Sequence, residues 1–186
     1  MPDKPRVYIE SCCFIDAAKE AIGITDQQRT SDVWFLWKFL EANKAKDAEV
    51  FTSVLTIAEC THADGNEDQR VRNLFDRVLM SGQHCALVQP TPFIGEDARN
   101  LRWKNGIKLG GADGLHVASG LAKGCKEFLT TDRRILSNAT QIALLGMRVC
   151  APSQTLLLPP EYRQGVLLDP KVTPLRRTAN KTNPPA

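Results

Sequence analysis

The sequence predicts an α/β domain with a central parallel sheet of about five strands and helices on both faces. Two observations carry this. Short apolar runs rich in β-branched residues alternate with longer stretches whose apolar residues recur at helical spacing. That strand-then-helix order repeats along most of the chain, which lays helices across the faces of a parallel sheet. Residues 6–10 read as the first strand, and about 14–22 as a helix. A stronger helix starts near Ser31, where Val33, Trp34, Leu36, Trp37 and Leu40 share one stripe and Ser31 or Asp32 can cap the first turn. The second strand covers about 49–54, followed by a helix over 55–62. Residues 67–80 form an amphipathic helix with Val71, Leu74, Phe75, Val78 and Leu79 on one side, and Ser81-Gly82 stops it. The third strand is 85–88. Pro92 fits the first turn of a helix running to about Asn105, which Gly106 ends. Gly110-Gly111 precedes a helix over 112–123, closed by Gly124. The fourth strand is 126–130, a short helix spans 132–136, and the fifth strand is 147–150.

The chain has 186 residues, enough for one domain with a full core, read as residues 1–158 with a tail over 159–186. Apolar residues make up 42% and charged residues 24%, an ordinary balance for a soluble globular domain. No apolar run is long enough to span a bilayer, and the opening residues do not read as a signal peptide, so a cytoplasmic location is expected. The net charge of +3 permits a nucleic-acid partner without requiring one. Six scattered cysteines with no C-x-x-C pair read as reduced, mostly buried thiols. A zinc site from Cys12, Cys13, Cys60 and His62 fits no common zinc spacing. The tail carries Pro159, Pro160, Pro170, Pro174, Pro184 and Pro185, and after Pro170 its only charges are Lys171, Arg176, Arg177 and Lys181. Composition favours a solvated tail; a basic arm for RNA or a segment wrapping a partner subunit is the functional alternative.

Four acids fall where chemistry is expected. In parallel α/β sheets ligands bind at the carboxyl ends of the strands. Glu10 ends the first strand, Asp132 directly follows the fourth, and Asp113 lies in the first turn of the helix after Gly110-Gly111. Glu59 sits in the helix after the second strand, where its longer side chain can reach back. Such a carboxylate set can hold Mg²⁺ or Mn²⁺, activate a water and neutralise a phosphate. Each acid also has a plainer explanation: Asp113 and Asp132 as helix caps, Glu59 as an exposed helix residue.

The residues around these acids decide between the readings. Val7-Tyr8-Ile9-Glu10-Ser11-Cys12-Cys13-Phe14-Ile15-Asp16, Ser53-Val54-Leu55-Thr56-Ile57-Ala58-Glu59, Gly111-Ala112-Asp113-Gly114-Leu115-His116-Val117-Ala118 and Phe128-Leu129-Thr130-Thr131-Asp132-Arg133-Arg134 resemble, in order and spacing, the four motifs of PIN-domain nucleases. The resemblance covers about residues 6–151 and implies a PIN-like three-layer fold. It implies an endoribonuclease using Mg²⁺ or Mn²⁺, with Glu10, Glu59, Asp113 and Asp132 as metal-site and catalytic acids and Ser11 and Thr130 as supporting hydroxyls. VapC-like toxins match the pattern well, which implies a toxin–antitoxin role, an antitoxin partner and a homodimer. One position departs: the family usually has Asp where this chain has Glu10, and the extra methylene displaces the carboxylate by about 1.5 Å. Cys12 and Cys13 replace commoner small polar residues and read as packing, because nothing near them in sequence lowers a thiol pKa.

Other residues invite a role. His116, one turn after Asp113, either touches phosphate or a metal-bound water or is a satisfied structural histidine; the oxygen preference of such ions favours the second. Arg99, Arg102, Lys104 and Lys108, with Trp103 among them, suit single-stranded RNA through phosphate contact and base stacking. A solvated helix face explains them equally well. Arg133 and Arg134 either meet phosphate or pair with a structural acid. Trp34 and Trp37 lie on a stripe that reads as core or as a dimer face. The rival to a nuclease is a weakened PIN-like module that binds RNA or protein. A phosphatase of another α/β fold lacks its Asp-x-Asp here, since Glu10 is followed by Ser11 and Cys12.

Overall fold

A computed structural model describes residues 4–24 and 26–164. Five strands, β1 (Arg6–Ile9), β2 (Glu49–Ser53), β3 (Ala86–Val88), β4 (Glu127–Leu129) and β5 (Arg148–Cys150), form one sheet in the order β3-β2-β1-β4-β5. Every pairing is parallel. Tyr8 of β1 lies opposite Phe51 of β2 on one side and Phe128 of β4 on the other. β1 is therefore the centre of the sheet, and Val7, Tyr8 and Ile9 are fully buried.

The helices are α1 (Ser11–Ala21), α2 (Thr30–Lys44), α3 (Leu55–Glu59), α4 (Gln69–Phe75), α5 (Pro92–Trp103), α6 (Gly111–Ala122), α7 (Arg133–Leu136) and α8 (Ala139–Ala143). Successive strand residues point to opposite faces, and the core divides accordingly. Val7, Ile9 and Leu129 join Phe14, Leu36, Phe39, Leu40 and Val71 from α1, α2 and α4 on one face. Tyr8 and Phe128 join Ile94, Leu101, Val117, Ile135 and Ile142 from α5 to α8 on the other. The layered α/β fold expected from the alternation is the fold observed.

Local signals act as expected at several ends. Thr91 accepts from the Ile94 N–H with Pro92 in the first turn of α5, and Asp68 caps α4. Gly124, at φ 66°, lets the Cys125 N–H return to the Gly120 carbonyl at 3.0 Å and stops α6. Other boundaries shift. α1 starts at Ser11, directly after β1, rather than near residue 14. α3 ends at Glu59 rather than at residue 62, because the chain turns through Asp64 and Gly65 at positive φ and closes an Ala63–Asn66 bridge. The helix expected over 67–80 is α4 continued by a π-helical turn, Asp76–Met80. α8 was not foreseen; it has five residues and buries only Ile142. Trp34 and Trp37 are half-buried against the first core face.

After β5 the chain makes a 3₁₀ turn, Pro152–Gln154, buries Leu158, and makes another, Pro160–Arg163. The carboxylate of Glu127, buried in β4, accepts from Arg148 Nη1 at 2.6 Å, Thr155 Oγ1 and the Leu156 N–H at 3.0 Å. Tyr162 donates its hydroxyl to Asp47 at 2.7 Å. The beginning of the proline-rich segment is thus bonded to the domain; Lys171, Arg176, Arg177 and Lys181 lie outside the described residues. Among the described residues no helix is long and apolar enough to cross a membrane.

Candidate active site

The last rung between the two central strands places the first acid. The Glu10 N–H donates to the Leu129 carbonyl at 3.1 Å, and α1 begins at the next residue. Glu10 therefore stands at the carboxyl end of β1, with its side chain buried. Its Oε1 accepts from Ser11 Oγ at 2.5 Å and its Oε2 from Thr130 Oγ1 at 3.0 Å. Thr130 Oγ1 in turn accepts from the Asp132 N–H at 3.0 Å. One hydroxyl from the end of β4 thus fixes a carboxylate on β1 and the backbone of a second acid.

Asp132 is also the N-cap of α7 and accepts from the Arg134 N–H at 2.7 Å. The Arg134 guanidinium lies 2.8 Å from Asp132 Oδ2 and 3.7 Å from Asp113 Oδ2, bridging the two acids. That hydrogen bond holds the Asp132 carboxyl below its ordinary range. Asp113 sits in the first turn of α6, whose N-cap is Gly110, so it is not itself the cap. Partial burial holds its carboxyl above the ordinary range, against the pull of Arg134, and the charges of Asp132 and Glu10 add to the rise.

Glu59, at the end of α3, is half-buried, and its Oε2 lies 2.8 Å from His116 Nε2. The other ring nitrogen of His116 lies 2.7 Å from the Tyr8 hydroxyl. Burial holds the Tyr8 phenol well above its ordinary pKa, so it stays protonated. A phenol donating to Nδ1 leaves the imidazole proton on Nε2, where it is donated to Glu59. His116 is thus bonded at both nitrogens, as a satisfied structural histidine would be, and it orients an acid of the site.

Ligand atoms of Glu10, Glu59 and His116 lie within 4.8 Å of one another. Asp113 and Asp132 lie outside that group; Asp132 is tied to Glu10 through Thr130 and to Asp113 through Arg134. Ser11 and Thr130 both donate to Glu10. With both nitrogens of His116 engaged, the free donors are carboxylate oxygens, which suit a hard divalent cation such as Mg²⁺ or Mn²⁺. Burial, helped by the charges of Asp132 and Glu10, raises the proton affinity of Asp113, and Arg134 offsets only part of that rise. The residues present fit such an ion.

Cys60 and His62 are engaged elsewhere: the buried Cys60 thiol faces the Ser11 carbonyl at 3.9 Å, and exposed His62 accepts from the Gly65 N–H at 3.1 Å. Arg99, Arg102, Lys104 and Lys108 are exposed along α5 and the loop to α6, and Arg133 is exposed on α7. Arg134 pairs with acids, one of the two readings its sequence position allowed. Two features had no legible signal: the Tyr8–His116–Glu59 chain, and Thr131, whose hydroxyl donates to Asp16 at 3.0 Å.

A parallel sheet with carboxylates gathered at the ends of its central strands defines an acid-edged α/β domain. The PIN domain family model matches residues 36–140, more than half of the chain, and the chain belongs to that family. PIN domains are generally nucleases and use divalent metals. The matched span contains Glu59, Asp113 and Asp132 and begins after Glu10. No curated protein and no solved structure matches the chain.

Proposed function

We propose that the chain is a divalent-metal-dependent endoribonuclease that hydrolyses phosphodiester bonds in single-stranded RNA. The observation that carries this reading is the gathering of acids at one sheet edge: Glu10 and Glu59 offer ligand atoms within 4.8 Å of each other, and Asp132 is tied to Glu10 through Thr130 and to Asp113 through Arg134. In this reading Glu10, Asp113 and Asp132 hold Mg²⁺ or Mn²⁺, with Glu59 a ligand directly or through water. When bound, the ion supplies charge neutralisation at the phosphate and a more acidic water. Ser11 and Thr130 keep the Glu10 carboxylate in one orientation. His116, held by Tyr8, does the same for Glu59. Arg134 and Arg133 offer positive charge to the phosphate at the mouth of the site.

Cleavage of a mixed single-stranded RNA pool with Mg²⁺, Mn²⁺ or EDTA, beside Asp113→Asn and Glu59→Gln, tests this. Each variant should lose about 100-fold or more of the rate while circular dichroism shows the fold intact, and EDTA should abolish cleavage. Cleavage that persists in EDTA overturns the proposal. A second reading, a weakened PIN-like module that binds RNA or protein, is favoured by Glu10 in place of the family's usual Asp; it predicts binding without cleavage in either metal. A cytoplasmic toxin role with an antitoxin partner and a homodimer rests on the resemblance to VapC-like toxins. A neighbouring small reading frame for a DNA-binding antitoxin would support it.

A further inference from the structure

We infer that the groove between α5 and α6 seats a nucleobase of the single-stranded substrate, stacked on the indole of Trp103 beside the acidic edge. This rests on the nuclease reading above and adds a substrate subsite to it. The two helices approach closely at Gly114, where a Cβ would meet Ala98 Cβ at 3.6 Å. Next to that contact they leave a groove of about 360 Å³, whose lining includes Gly95, Arg99, Arg102, Trp103, Gly110 and Leu115. Four of its ten lining residues are glycines, and a Cβ at Gly95 or Gly111 would meet nothing within 4 Å. The space suits a flat ring.

Trp103, the last residue of α5, is 71% exposed, so its indole contributes little to the core. The Arg99 guanidinium lies 4.7 Å from the ring centroid and is held in turn by Glu96 at 3.3 Å. A guanidinium against an open indole, with Arg102 beside it, is how proteins meet an unpaired base and its phosphate. The groove also reaches the acids. Its lining residue Gly110 is the N-cap of α6, and a Cβ there would lie 3.7 Å from Asp113 Oδ2. A base in the groove therefore delivers its phosphodiester to the carboxylates. A small cavity rimmed by cations favours this occupant over a protein segment.

The test is equilibrium binding, in EDTA so that cleavage does not enter. Fluorescence anisotropy compares a labelled single-stranded RNA decamer with its abasic counterpart, using the wild-type chain, Trp103→Ala, Trp103→Phe and Gly95→Leu. Wild type should bind the base-bearing strand more tightly. Trp103→Ala and Gly95→Leu should each weaken that binding by about 5- to 150-fold and leave abasic binding unchanged, and Trp103→Phe should retain most of it. Equal wild-type binding of the two strands overturns the inference. So does an equal loss on both strands in the variants, or a Gly95→Leu chain that binds like wild type. Binding of neither strand also overturns it and leaves this face to a protein partner. Wild-type binding without base dependence, with metal-dependent cleavage intact, removes the groove and keeps the nuclease; base-dependent wild-type binding without cleavage in any metal does the reverse.

Discussion

Thr130 Oγ1 donates to Glu10 and accepts from the backbone of Asp132, so the two acids share one hydroxyl. Glu10 is one methylene longer than the Asp usual in the family. Glu10→Asp is expected to keep or raise metal-dependent cleavage; a slower rate in the RNA assay would mark Glu10 as a tuned ligand. Asp113 gives a prediction about stability. Burial raises its proton affinity in the folded state, so it favours folding below the ordinary aspartate pKa of about 3.9 and opposes folding once pH passes its raised folded value. In EDTA at pH 7, Asp113→Asn should raise Tm, and the gain should fade as pH is lowered toward about 4. A lower Tm at pH 7 would show that the contact with Arg134 outweighs the burial cost. The acids were legible in sequence because each follows a strand or opens a helix within a recognisable run. The Tyr8–His116–Glu59 chain was not, because its bonds join residues 108 and 57 positions apart.

α6 carries Asp113 and His116, and its seat on the sheet depends on Gly120. A Cβ there would meet Met147 Sδ at 3.0 Å and Tyr8 Cβ at 3.2 Å. Met147 can swing aside; the Cβ of a central-strand residue cannot. Overpacking typically costs about 1–3 kcal/mol, and the better helix propensity of Ala returns about 1. Gly120→Ala should therefore lose about 1 kcal/mol net in urea unfolding. A stabilised variant would show that the sheet yields. Strong periodicity made α2, α5 and α6 readable. α8 has five residues, too few to show a period, and the π-helical turn after α4 keeps Val78 and Leu79 buried, so its pattern reads as plain helix.

Across the molecule, the segment after β5 is tied down through one buried carboxylate. Glu127 is 2% exposed and accepts from Arg148, Thr155 and Leu156. Arg148→Met leaves that charge buried without its cation. The loss should be about 2–4 kcal/mol, below that of a fully buried pair because the Arg148 side chain is 40% exposed. A urea midpoint close to wild type would show that the two remaining donors suffice. The parallel sheet was predictable from the alternation of elements, yet the order β3-β2-β1-β4-β5 was not, since strand neighbours are chosen by packing between residues far apart in the chain.

That order also sets a timetable. Glu10 waits at the end of β1 from the first moments of synthesis, and Glu59 follows. Thr130 and Asp132 reach it only when β4 slots in beside β1, after more than two thirds of the chain has been made. A growing chain therefore carries Glu10 and Glu59 before it has made Asp132, the acid that shares the Thr130 hydroxyl with Glu10.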